Sequence, residues 1–338
     1  MRKADKLPMR YGAWLYLIIL LVGCAHAPPA PVVTLGNGRS AASLGLTVDR
    51  FCASTRFAAV KIEGAGPEIT CHAILEYEHL LDSLQAILPE KLTLTTLLLL
   101  PRQPRMGLYD PRYGKIELED RTPGAPVLSR NEAILVHEEG HNLFHGFLSE
   151  EIPLYGELAK LNEENGRRLS EMLELAQSYG GVEACQVETS ECYRKVSLKN
   201  AASVSAEAKL HAFLQQNKAA LDSLGQRVAP LHELYADLVA ALFYDDASAM
   251  IKKIPDLGAC RVFKAEPAEP SPPPSAYCEL RALRAPLWER FVFSRLGDKR
   301  ALLRELGRAF AEEAKKRAQE KLPSPQRSIR RLKAALKI

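Results

Sequence analysis

Between residues 73 and 88, apolar residues fall at 74, 75, 77, 80, 81, 84, 87 and 88. This 3.6-residue period predicts an amphipathic helix, ended by Pro89. Ahead of it, 56–62 reads as a short strand. Behind it, the threonine- and leucine-rich run 91–100, closed by Pro101, reads as a buried strand, with helix left open by its leucines. Leu108-Tyr109-Asp110-Pro111 and Lys115-Ile116-Glu117-Leu118 flank a turn at 112–114 and predict a hairpin. Ser129 and Glu132 have capping-box spacing and predict a helix running to about residue 148. From there the pattern is almost wholly helical, over 155–178, 205–228, 230–244, 286–296 and 299–322. Gly180-Gly181 and the segment 185–192 interrupt it, and the five prolines of 266–275 predict an exposed loop. The basic residues 324–338 read as a solvated helix or a loose tail.

The first residues change the picture of where this chain resides. Arg2, Lys3, Lys6 and Arg10 precede an apolar run at 11–22, too short for a comfortable membrane span and the right length for a signal-peptide core. The run ends in Leu21-Val22-Gly23-Cys24, which resembles the bacterial lipobox. That resemblance implies cleavage after residue 23, a diacylated Cys24 as the new N-terminus, and a place in the bacterial cell envelope. Ala25, rather than Asp, favours the outer membrane by similarity to lipoprotein sorting in some Gram-negative bacteria. Residues 24–45, rich in Ala, Pro, Gly and Ser, read as a flexible tether.

The chain of 338 residues is 47% hydrophobic and 25% charged, enough for a large core and ordinary for a folded domain. Its net charge of +4 falls to +1 beyond the basic start, which carries no nucleic-acid footprint. Six cysteines remain after Cys24, an even number consistent with disulfides in an exported protein. Cys52 with Cys71, Cys185 with Cys192, and Cys260 with Cys278 are the simplest pairs, and buried free thiols are the alternative.

His137-Glu138-Glu139-Gly140-His141 matches H-E-x-x-H. Residues four apart on a helix share one face, with Cβ atoms about 5–6 Å apart. Two imidazoles so placed can converge on one zinc ion at about 2.0–2.1 Å. Glu138, one position round, is out of line with the ion but can reach a water at its open position, as a general base must. A third ligand is needed. His145 lies about 80° round the helix from His137 and faces elsewhere. Glu163 has roughly thermolysin-like spacing but lacks an Asp four residues on. Glu233 stands in His232-Glu233-Leu234-Tyr235-Ala236-Asp237, on a helix apolar enough that its acids need partners.

That segment resembles the E-x-x-x-D helix of gluzincin metallopeptidases, and the order strand, helix, strand, hairpin, H-E-x-x-H resembles their domain over about residues 50–245. The resemblance implies an α+β, zincin-like fold: a small N-terminal mixed β-sheet with the active-site helix, followed by a mainly helical C-terminal part. It implies Glu233 as third ligand to one Zn2+ ion and Asp237 as the acceptor behind a ligand His. The zincin-like domain would span 46–245, with a helical insertion at about 150–228 and a helical extension over 246–338. Tyr235, His232, His211 and Tyr109 are candidate donors to the reaction's oxyanion. The implied activity is peptide-bond hydrolysis, with a peptide or protein substrate, the membrane as partner through Cys24, and no nucleic acid. A non-catalytic zinc-binding lipoprotein with a structural or partner-binding role is the other reading. His141 and Glu233 are 92 positions apart, far more than in thermolysin-like enzymes.

Overall fold

A computed structural model describes residues 60–62, 80–89, 96–100, 107–112, 115–119, 128–179, 191–253, 259–264 and 275–338. The signal-peptide and tether segments, with Cys24, Cys52, Cys71 and Cys185, lie outside the described residues. The described chain is mostly helical, with one small mixed sheet. Strands β1 (Val60–Ile62), β2 (Thr96–Leu100), β3 (Gly107–Asp110) and β4 (Lys115–Glu119) assemble in the order β1-β2-β4-β3. β1 and β4 each run parallel to β2, and β3 returns antiparallel to β4 as the expected hairpin. Between β1 and β2 a helical stretch at 80–85 buries Leu80 and Leu84, two of the periodic positions.

The motif helix α1 (Leu128–Glu151) begins one residue ahead of the expected cap Ser129. It sits at the centre of the molecule, with the hairpin on one side and helices α2 (Pro153–Ser178) and α3 (Glu191–Phe243) on others. It is therefore buried almost all round: Ile134, Val136, Phe144 and Leu148 are covered, but so are His137, Glu138, Glu139, His141, Asn142 and His145. A central helix that carries so many polar groups must pair them, and the site below is how most are paired.

One sequence reading is corrected here, and one pair of alternatives is decided. The helices expected at 205–228 and 230–244 are one 53-residue helix that begins at Glu191 and passes through Pro230. An interior proline costs a helix about 3 kcal/mol. Val228, Leu231 and Leu234 around it are fully buried, and each such side chain returns about 1.5–3 kcal/mol, so packing outweighs the break. The tail is no loose segment. Ser324 accepts the Arg327 N–H to cap α7 (Pro325–Leu336), with Pro325 in its first turn. Leu332 and Leu336 are buried, and Arg331 pairs with Glu313 and Glu320 of the preceding helix and its end.

Beyond the short helix α4 (Ala249–Lys253), the helix expected at 286–296 is instead a relay: α5 (Arg281–Leu287), a wide π turn over Trp288–Val292, then a 3-10 stretch over Phe293–Asp298. The wider turn buries Trp288, Phe291 and Val292 on one side. Asp298 then caps α6 (Lys299–Gln319) by accepting the Ala301 N–H at 3.1 Å. No helix among the described residues is long and apolar enough to cross a membrane.

Candidate metal centre

The two motif-bearing helices meet because a glycine lets them. A Cβ on Gly140 would stand 2.7 Å from the Ala236 Cα of α3 and 3.2 Å from the Val239 Cβ. With neither side chain nor steric barrier there, α1 and α3 approach closely enough for His137 and His141 to face Glu233. The three offer ligand atoms all within 4.8 Å of one another, the one such group among the described residues. Glu233 Oε2 stands 3.3 Å from His137 Nε2 and 3.7 Å from His141 Nε2. Atoms about 2.0–2.1 Å from one tetrahedral ion stand about 3.3–3.4 Å apart, so the spacing fits a shared cation. Glu233 Oε2 is buried, facing the two imidazole nitrogens, with Arg261 Nη2 3.6 Å away.

Each histidine is held from behind. His137 Nδ1 lies 3.1 Å from Asp237 Oδ1, so Nε2 is the atom turned to Glu233. His141 Nδ1 lies 3.3 Å from His232 Nδ1, with the same consequence. Glu138 stands aside from the ligand group. Its Oε2 accepts the Tyr109 backbone N–H at 2.7 Å, a donor that edge strand β3 leaves free of the sheet. Burial pushes Glu138 up to about 7, with the His137 charge opposing it. Burial pushes His141 down to about 4. His137 goes the other way, to about 9: burial and Arg261 pull it down, and Asp237 and Glu233 more than compensate.

Glu163 is exposed and stands outside the ligand group. His145, also outside it, is packed edge-on to Tyr155 with ring centres 5.0 Å apart, and neither ring nitrogen has a hydrogen-bond partner. Of the four candidate donors, three have other partners and one is exposed. Tyr235 donates its hydroxyl to the Leu303 carbonyl at 3.0 Å, and Tyr109 donates to Asn142. His232 backs His141 instead, and His211 is exposed on the outer stretch of α3.

The residues that sequence reasoning missed come from beyond 246, the region expected only to extend the fold. Arg261 bonds Asp237 through Nε at 3.0 Å, and its Nη2 lies against the His137 ring, 3.2 Å from Nδ1 and 3.0 Å from Nε2. Arg284 Nη2 reaches the other Asp237 oxygen at 2.7 Å. Burial pushes the Asp237 carboxyl up, but the two guanidiniums hold it far below the usual range. Tyr277 lies over Arg261, 4.6 Å from ring centre to guanidinium carbon, and is 42% exposed. The Glu233 charge, then burial, raise its hydroxyl. Cys260 and Cys278, next to Arg261 and Tyr277, form the expected disulfide. Cys192 is also disulfide-bonded, and its expected partner Cys185 lies outside the described residues, so that pairing is left as an expectation. Cysteine adjacency was the one signal for Arg261 and Tyr277, and no local pattern marks Arg284.

His145 gives the fold an acid-sensitive point. Burial lowers it to about 4 from a usual 6.5. The folded state therefore binds fewer protons than the unfolded one between those values, and stability falls as pH drops from about 6.5 to about 4, by about 3 kcal/mol in all. His145→Leu should remove that contribution. Melting temperatures from pH 7 to pH 5 should fall less in the variant than in the wild type. Parallel curves would show that His145 is not the source.

No protein-family model, no curated protein and no solved structure matches this chain.

Proposed function

We propose that this protein is a zinc-dependent peptide-bond hydrolase with a zincin-like core of the gluzincin type, lipid-anchored in the bacterial cell envelope. The observation that carries the reading is the juxtaposition of the His137, His141 and Glu233 ligand group with a buried carboxylate, Glu138, that is fixed beside it but outside it. Two imidazoles and a carboxylate form a donor set that suits zinc. Every described cysteine is in a disulfide, so none supplies the thiolate that usually closes a structural zinc site.

Bound zinc would polarise the scissile carbonyl and acidify the attacking water. Glu138 takes the proton from that water and returns it to the leaving amine nitrogen. A carboxylate raised to about 7 by burial suits both steps near neutral pH. Asp237 and His232 keep the ligand nitrogens aimed while this happens. Tyr277, partly exposed over Arg261 and with its hydroxyl raised by the Glu233 charge, is the hydroxyl we assign to the oxyanion. The test is hydrolysis of a broad peptide library by the purified protein: activity should vanish when a chelator strips the metal and return with zinc.

The second reading, a zinc-binding envelope lipoprotein without catalysis, draws on the near-complete burial of His137, Glu138 and His141, which restricts a substrate's approach. Metal-loaded protein that cleaves no peptide in the library would favour it. The anchor is a proposal on the Leu21-Val22-Gly23-Cys24 segment, and Ala25 favours the outer membrane. Intact mass of membrane-extracted protein should begin at Cys24 and carry acyl chains. An unacylated N-terminus would remove the anchor and leave the metal centre standing.

A further inference from the structure

Metal ligands usually keep company with acids, yet a guanidinium is built into this cluster. Arg261 Nη2 stands 3.0 Å from His137 Nε2 and 3.6 Å from Glu233 Oε2, two of the ligand atoms themselves. An ion about 2.0–2.1 Å from that nitrogen would lie within about 5 Å of the guanidinium. The Arg261 side chain is 4% exposed, so solvent screens the two charges little. Asp237 does not neutralise it fully, because the same carboxylate also serves Arg284. Apart from Glu233, which is itself a ligand, two guanidiniums share one carboxylate, and this leaves a net positive charge beside His137.

Arg261 is also clamped. The Tyr277 ring covers it, and its Nη2 lies against the His137 ring. The disulfide joins the residue before it, Cys260, to the residue after Tyr277, Cys278. It therefore has no easy route to swing away when an ion enters. His137 has its own contact for aim: Asp237 Oδ1 lies 3.1 Å from His137 Nδ1, and Arg284 holds the other Asp237 oxygen at 2.7 Å. What Arg261 adds to this centre is charge.

We infer that Arg261 is a fixed positive charge that holds down the affinity of the metal centre. The inference rests on the zinc reading of His137, His141 and Glu233. Zinc affinity is to be measured by competition with a chromophoric chelator for the wild type, Arg261→Met and Arg261→Lys. Methionine keeps much of the length and apolar stem without the charge, whereas lysine keeps the charge. Arg261→Met should bind zinc at least about tenfold more tightly, the low limit for a divalent ion relieved of a unit charge at about 5 Å in a water-like dielectric. Arg261→Lys should stay close to the wild type. Equal or weaker zinc binding by Arg261→Met overturns the inference, as does equal tightening by Arg261→Lys. If Arg261→Met fails to fold, Arg261→Gln takes its place with the same expectation. A wild type that binds no zinc would defeat the metal-centre reading, whereas a zinc-binding wild type with no tightening in the variant defeats only the role of Arg261.

Discussion

Glu138→Gln protein should hold zinc as the wild type does and hydrolyse peptide at least about 100-fold more slowly, the low end of general-base contributions. Glu138 is outside the group that can hold the ion, so its loss takes away no ligand. Glutamine has the same shape, and its amide oxygen can still accept the Tyr109 N–H that Glu138 Oε2 accepts at 2.7 Å. Folding should therefore be preserved, with a melting temperature near the wild-type value. What glutamine cannot do is take a proton from water. Equal hydrolysis by the two proteins would remove Glu138 from the mechanism.

Glu233→Ala should lose zinc affinity by more than the roughly 10–100-fold typical of changes behind a ligand, and Glu163→Ala should leave it unchanged. Glu233 reaches both imidazoles, and Glu163 is on the surface. Asp237→Asn should fall between them in zinc affinity, and it carries a second signature. Asp237 is fully buried with Arg261 and Arg284 on its oxygens. Removing the charge strands two buried cations, which typically costs about 3–5 kcal/mol, so the metal-free variant should melt well below the wild type. Glu233→Ala should show the affinity loss without a comparable fall in metal-free stability. Zinc affinity lost with Glu163→Ala instead would transfer the ligand role.

What could be read from the chain follows from how local each signal is. His137, Glu138 and His141 are fixed by one turn of one helix, so their spacing carried the geometry. Glu233 and Asp237 were legible as a second one-turn pattern, although 92 residues separate it from the first. The close approach of their helices depends on Gly140 against Ala236, which periodicity cannot show. Arg261, Tyr277 and Arg284 were illegible because they reach the site through a disulfide-closed loop and a separate short helix. Lone arginines on short elements carry no periodic mark. Pro230 misled for the opposite reason: a strong local breaker was overruled by the fully buried side chains around it. The tail was left open between helix and loose segment because what decides it is tertiary: Arg331 pairs with Glu313 and Glu320, and Leu332 and Leu336 pack inward.

The central claim is that His137, His141 and Glu233 hold one zinc ion. X-ray absorption at the zinc edge, with metal analysis, on purified protein dialysed free of loose metal tests it most directly. The account predicts one zinc per chain, bound by two imidazole nitrogens with oxygen completing the shell, and no zinc in His137→Ala. A wild type without bound zinc, or one whose zinc is ligated by sulfur, would contradict it.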